Sequence, residues 1–262
     1  CWEGSKSERT AKITAGLAIK HFGRLTLLQD ISSDDIDAWV SKMKKEGNSN
    51  GTINRKLASL SKMMTIAMQR GGLKAKPFME RETESLGRIR WVTPEEETTM
   101  LALLESWGKH DHVDAIKVLL DVGCRCGELW NIQARDIHEA TGMIAIWENK
   151  ADHPRSVPMT TRVKEVMKRR AARFPQGKLF PYENPWLRNQ WDRLKAIMAL
   201  DQDDQFVPHC LRHTCASRLV QRGLSIVKVQ KWLGHKTIQI TLRYAHLAPA
   251  DLLEGVVMLE PQ

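Results

Sequence analysis

The chain has 262 residues, 42% of them apolar, and a net charge of +9, so a soluble folded protein of two domains with a polyanionic partner is expected. No apolar run is long enough to span a bilayer, and the five cysteines, at 1, 124, 126, 210 and 215, lack the spacing of a disulfide framework. A membrane-spanning chain and a disulfide-stapled secreted domain are therefore excluded, and buried thiols in a reducing, cytoplasmic setting are expected. Residue 1 is Cys1 rather than Met, so upstream sequence is expected.

The positive charge is uneven. Residues 1–90 hold 17 Lys and Arg against 10 Asp and Glu, which leaves 23 against 21 for residues 91–262. Lysine and arginine displace counterions from phosphates, so the N-terminal third reads as an electrostatic clamp. The remainder, near neutral, focuses positive charge only by where it places it.

A first helix is predicted over residues 9–22, where Ala11, Ala15, Ala18, Ile19 and Phe22 share a face; Ile13 and Leu17 lie on the far side. Ser32-x-x-Asp35 resembles a capping box that opens a second helix with Ile36, Trp39, Val40 and Met43 as its apolar stripe, stopped by Gly47. Ile53, Leu57, Leu60, Met64 and Ala67 step by four, three, four and three along a third helix ended by Gly71-Gly72. Its other faces carry Arg55, Lys56 and Lys62, candidates for contact with DNA phosphates. Such charges are most often simply solvated, and the regional excess of positive charge tips the balance.

Residues 80–91 lack an apolar period and mix charges, as an interdomain linker does. Thr93-Pro94-Glu95-Glu96 then opens a new helix, with Pro94 at its first position. A helix over His112 to Leu120 follows, then a strand over 143–147, a turn at 149–154 and a returning strand over 155–159. Further helices are predicted at 161–173, 184–200, 208–222, 225–233 and 237–246. The fold class is thus mainly α with a small antiparallel β-sheet, in two domains: residues 1–79 and 92–262, joined by the linker.

Three stretches carry candidate chemistry. On a helix starting near His209, the residues at i, i+3 and i+4 share a face, so His209, Arg212 and His213 project together. A cation beside imidazoles makes an anion site. The His209/His213 spacing also suits a zinc helix, but Cys210 stands where a glutamate base is needed and Arg212 repels a cation, so no metal is expected. The second stretch, Gly123-Cys124-Arg125-Cys126-Gly127-Glu128-Leu129, sets Arg125 at a tight helix junction; its thiols read as core filler. The third is Lys150, in the hairpin turn, where lysine often serves solubility alone.

Taken together, Arg125 within GCRCGEL, Lys150 ahead of RSVPM, HCLRHTCASRLVQRG and LGHKTIQITLRYAHL, in that order and spacing, resemble the tyrosine recombinase family, the phage-type integrases. The resemblance covers essentially the whole chain, since the basic helical segment before residue 80 is similar to that family's core-binding domain. It implies a helical core-binding domain followed by a tyrosine recombinase catalytic domain. Val122, Cys124 and Cys126 depart from the family's usual spelling without removing a reactive group.

Residue by residue, the resemblance implies Tyr244 as nucleophile, Arg125 and Arg212 on the scissile phosphate, and Lys150 on the hairpin as general acid. His209 and His235 fill the two remaining catalytic positions. Glu128 supports the first arginine and His213 stands behind the site, with His209 the expected acceptor of the Tyr244 proton. No cofactor is implied. The implied partners are double-stranded DNA with specific core sites, three further copies of the chain in a tetramer on DNA, and accessory DNA-bending proteins. Integration and excision of phage or other mobile-element DNA, in a bacterial cytoplasm at the nucleoid, is the implied activity. Two other readings stay open from residues alone: a topoisomerase using a 3′-phosphotyrosyl link, and a non-catalytic DNA-binding regulator. The apolar tail with Leu252, Leu253, Val256, Val257 and Leu259 either closes its own core or docks on a neighbouring protomer.

Overall fold

A computed structural model describes residues 3–4, 8–84, 89–147 and 154–249 of the chain. It divides into two compact units, Cys1–Leu86 and Gly87–Gln262.

The first unit is built from α1 (Glu8–Phe22), α2 (Ser33–Lys45) and α3 (Asn50–Gln69). The Ser32 hydroxyl accepts from the Asp35 N–H at 3.2 Å, and the Asp35 carboxylate accepts from the Ser32 N–H at 2.9 Å, so the predicted box starts α2 by satisfying two otherwise orphaned donors. The stripe of α3 is buried at Ile53, Leu57, Leu60 and Met64, packing with Ile36, Trp39 and Met43 of α2. Ile19, expected on the core face of α1, is instead 49% exposed, because α1 approaches α3 through its small residues Ala11 and Ala18, which are buried. Asn54, also buried, does work that no periodicity announces. Its side chain donates to the Glu82 carbonyl and to the Glu84 carboxylate and accepts from the Glu82 N–H, tying the chain after residue 80 to α3.

The second unit contains α4 (Pro94–Ser106), α5 (His110–Val122), the short α6 (Cys126–Leu129), β1 (Ile137–His138), β2 (Met143–Ile146), β3 (Arg155–Pro158), α7 (Thr161–Arg173), α8 (Asn184–Ile197), α9 (Cys210–Gln221), α10 (Ile226–Leu233) and α11 (Ile238–Leu242). Thr93 caps α4 with a full capping box to Glu96. Arg90, within the stretch expected to be linker, pairs with Glu96 and Asp203 and so is fixed to this unit.

Helix α5 is buried on nearly every side, from Val113 to Val122, which makes it the central helix on which α4, α7 and α9 pack. At its polar start, Asp111 and Asp114 pair with Arg170, which is 1% exposed, so its charge is met inside the protein. The strands form an antiparallel sheet in the order β1-β2-β3, with Ile144 opposite Val157 and Ile146 opposite Arg155. Ile144, Ile146 and Val157 turn into the core. The extra strand β1 was not legible, being two residues long and half exposed. Among the described residues, no helix is long and apolar enough to cross a membrane.

Candidate active site

Two glycines let three helix ends meet. α5 ends on Gly123 at φ 66° and α10 on Gly234 at φ 68°, left-handed conformations that cost glycine little. A Cβ on Gly123 would lie 2.8 Å from Cys215 Sγ of α9 and 2.9 Å from Leu233 Cδ2 of α10, and one on Gly234 would lie 2.8 Å from Arg155 Cδ. Gly123 thus lets α9 and α10 close on the end of α5, and Gly234 leaves room for the Arg155 side chain.

Arg212 occupies that junction, 3% exposed. Its Nη1 donates to the Gly123 carbonyl at 2.6 Å and its Nη2 to the Leu233 carbonyl at 2.8 Å. These are carbonyls left over at the C-termini of α5 and α10, where both helix dipoles are negative, so the guanidinium is fixed in plane and orientation. Burial, followed by the charge of Arg125, brings its pKa down to about 10, and it stays protonated at neutral pH.

Arg125 stands at the start of α6 with its side chain 45% exposed. Glu128, one turn on, accepts from the Arg125 N–H at 2.9 Å and from its Nη1 at 2.7 Å. Burial alone pushes the Glu128 carboxyl upward, but the hydrogen bond and charge of Arg155 and the two bonds from Arg125 together hold it below its ordinary value. Glu128 thus meets Arg125 through both of its carboxylate oxygens.

His235 follows Gly234 directly and is 9% exposed. Its N–H donates to the Gln230 carbonyl at 3.1 Å, the Gln230 side chain donates back to the His235 carbonyl at 3.1 Å, and its ring Nδ1 lies 2.9 Å from the Thr241 hydroxyl. Burial, then the charges of Arg212, Arg125 and Arg155, lower its pKa to about 4, so the ring is neutral at physiological pH. Thr241, fully buried in α11, also accepts from the Tyr244 N–H at 3.0 Å and so connects His235 to Tyr244.

Tyr244 lies between α11 and the turn Ala245–Leu247, 2% exposed, packed with Ala216, Val220, Val229 and Leu233. Its hydroxyl is 2.6 Å from His213 Nδ1. The expected partner was His209; His213 takes the place because it is one turn further along α9, where it faces the segment carrying Tyr244. The rings of His209 and His213 meet edge to face at 4.8 Å. Burial, then the neighbouring His209 and the charges of Arg243 and Arg212, push His213 down to about 4. With a neutral imidazole protonated on Nε2, the phenol donates and Nδ1 accepts. Burial raises the Tyr244 pKa against the opposing pull of Arg243 and Arg212, so in the DNA-free protein it is a neutral phenol. His209 is exposed at the rim, where desolvation by the surrounding protein and the charges of Arg212, Arg125 and Arg243 keep it below the usual imidazole value.

Arg125, Glu128, His209, Arg212, His213, His235 and Tyr244 thus converge on one neighbourhood. Lys150 lies outside the described residues, as does the apolar tail. In the first unit, Arg55 and Lys62 are exposed on α3, while Lys56 is half-buried and donates to the Asn48 side chain at 2.9 Å. Sequence reasoning missed Arg155 and Thr241. Arg155 left one signal, the lone charge in strand β3; Thr241 left none. The cysteines Cys124, Cys210 and Cys215 are buried free thiols, and burial pushes Cys210 to about 11 and Cys215 to about 12. Among the described residues no group of three or more His, Cys, Asp and Glu side chains is placed to hold a metal ion.

Residues 90–251 match the phage integrase family. The tyrosine recombinase XerA of Saccharolobus solfataricus is 29% identical over 226 residues, covering 85% of this chain and 76% of that protein. The integrase of Escherichia phage P2 is 26% identical over 259 residues, covering 92% and 71%. Among solved structures, the Tn1549 transposon integrase in complex with circular intermediate DNA superposes with a TM-score of 0.75 at 22% identity, covering 98% of this chain and 95% of that one. A lambda integrase dimer bound to a core site gives 0.72 at 17% identity, covering 94% and 73%. Those likenesses speak for the fold, and the match over most of the second unit speaks for descent: the chain belongs to the phage integrase family of tyrosine recombinases.

Proposed function

We propose that this chain is a site-specific DNA recombinase that cuts and rejoins strands through a 3′-phosphotyrosyl link at Tyr244. The observation that carries the reading is the pairing of Tyr244 with a neutral imidazole beside the arginine bound to two helix ends. Family membership and the DNA complexes of the Tn1549 and lambda integrases support it.

The chemistry follows from the groups present. The Tyr244 oxygen attacks the scissile phosphorus while its proton passes to His213, and the bond from phosphorus to the 5′ oxygen breaks. Arg125 and Arg212 face the nonbridging oxygens, where negative charge gathers in the five-coordinate transition state; each such contact is worth roughly 2.7–4 kcal/mol by analogy with oxyanion donors. His235 and His209 donate to the same phosphate, and Lys150 supplies the proton that the 5′ oxygen takes on leaving. The phosphotyrosyl bond keeps the energy of the phosphodiester, so a 5′ hydroxyl from another strand reverses the step without a high-energy cofactor.

The same reading assigns Arg55, Lys56 and Lys62 to DNA phosphates, a tetramer to two recombining core sites, DNA-bending proteins to the assembly, and the bacterial cytoplasm to the reaction. Two plasmids carrying mapped attachment sequences test it. Joined products that require both sites are expected; relaxation of supercoiled plasmids lacking the sites, with no joining, would instead place the chain among topoisomerases.

A further inference from the structure

Arg155 has no part in the reaction as written, yet it holds two pieces of the site's frame at once. Its Nη2 donates to Glu128 Oε2 at 2.6 Å and its Nη1 reaches Oε1 at 3.4 Å. Its Nε donates to the Trp232 carbonyl at 3.2 Å. The two side chains of this ion pair are 12% and 8% exposed. Glu128 is the carboxylate that fixes Arg125, so Arg155 sits behind the first arginine of the site.

On its other side, Arg155 lies over Gly234, where a Cβ would come within 2.8 Å of its Cδ. The consecutive carbonyls of Trp232 and Leu233 thus accept from Arg155 and Arg212, immediately before the turn that delivers His235. Both arginines occupy the negative end of α10, and the length of the Arg155 side chain fixes how far that end stands from Glu128. A buried ion pair of this kind contributes little net stability compared with an apolar pair, which leaves geometry as what it supplies.

We infer that Arg155 is a positioning residue for strand cleavage: through Glu128 it aims the Arg125 guanidinium, and through the Trp232 carbonyl and the space over Gly234 it sets His235. It touches no reacting atom. The inference rests on the cleavage reading above and adds a residue to it.

The test is single-turnover formation of the covalent protein–DNA adduct on a nicked duplex carrying a mapped core site, with DNA affinity measured separately. Wild type, Arg155→Ala, Arg155→Lys, Glu128→Gln and the double variant Glu128→Gln/Arg155→Ala are compared. Arg155→Ala is expected to form adduct about 100-fold more slowly at saturating DNA, the scale on which a small misplacement of catalytic groups acts. Its Kd for the duplex should stay within about twofold, and Arg155→Lys should recover about tenfold of the loss by restoring charge without the second donor. In the Glu128→Gln background the same alanine change should cost at least about tenfold less, because the two residues act as a unit. Adduct formation by Arg155→Ala within about twofold of wild type, or multiplicative effects of the two changes, overturns the assignment. Should Arg155→Ala fail to melt cooperatively, Arg155→Lys decides alone: slowing at unchanged Kd supports positioning and a wild-type rate refutes it. A wild-type chain that forms no adduct overturns the cleavage reading itself.

Discussion

His213 Nδ1 lies 2.6 Å from the Tyr244 hydroxyl, across 31 residues of sequence. The imidazole therefore holds the phenol before DNA arrives and is placed to take its proton as the phosphorus is attacked. Replacing His213 with alanine should slow adduct formation by about 100-fold, the lower range for a positioned base, while DNA affinity stays within about twofold. Quench-flow measurement of the adduct at saturating duplex checks this. An undiminished rate would return the acceptor role to His209.

Two imidazoles of the site set a pH dependence for the DNA-free protein. His213 and His235 have pKa values of about 4 when folded, against about 6.5 in an unfolded chain. Between those values the unfolded state binds more protons, so stability rises with pH and is lost as pH falls from 6.5 toward 4. Melting at about pH 7 and about pH 5 should show a lower Tm at the acid value, by roughly 2–4 °C for each kcal/mol lost in domains of this size. His213→Gln should show a smaller drop, because one of the two titrating groups is gone. An equal drop in both proteins would mean that His213 is not held neutral by its surroundings.

Gly123 offers a stability test independent of catalysis. A methyl there meets Cys215 Sγ at 2.8 Å and Leu233 Cδ2 at 2.9 Å, in a left-handed backbone conformation. Gly123→Ala should lower the stability of the second unit by about 2–4 kcal/mol, combining overpacking with backbone strain. Denaturant titration followed by tryptophan fluorescence reports it. A loss below about 1 kcal/mol would show that the three helix ends have room to part.

Local patterns announced much of this molecule and left its long-range pairings silent. The boxes at Ser32 and Thr93 and the stripe from Ile53 to Met64 are satisfied within a few residues, so spacing alone locates them. The strand at 143–146 and its return at Arg155 were legible for the same reason, while β1, two residues long, was not. At the candidate site, motif spelling marked Arg125, Glu128, Arg212, His235 and Tyr244, which the fold brings into one neighbourhood. What spelling does not carry is who meets whom. His213 rather than His209 meets Tyr244 because of the one-turn offset along α9, which matters only once the turn Ala245–Leu247 packs beside it. Asn54 and Arg155 act on partners 28 and 27 residues away, and a polar residue within a helix or strand does not disclose its partner.

The central claim is that Tyr244 becomes covalently joined to DNA. A nicked duplex bearing the mapped site, incubated with wild type and with Tyr244→Phe, followed by denaturing electrophoresis and peptide mapping of the adduct, tests it most directly. The expected result is a wild-type adduct on the peptide containing Tyr244 and none from Tyr244→Phe, with both proteins binding the duplex equally. An adduct of equal yield from Tyr244→Phe, or one mapped to another residue, would contradict it.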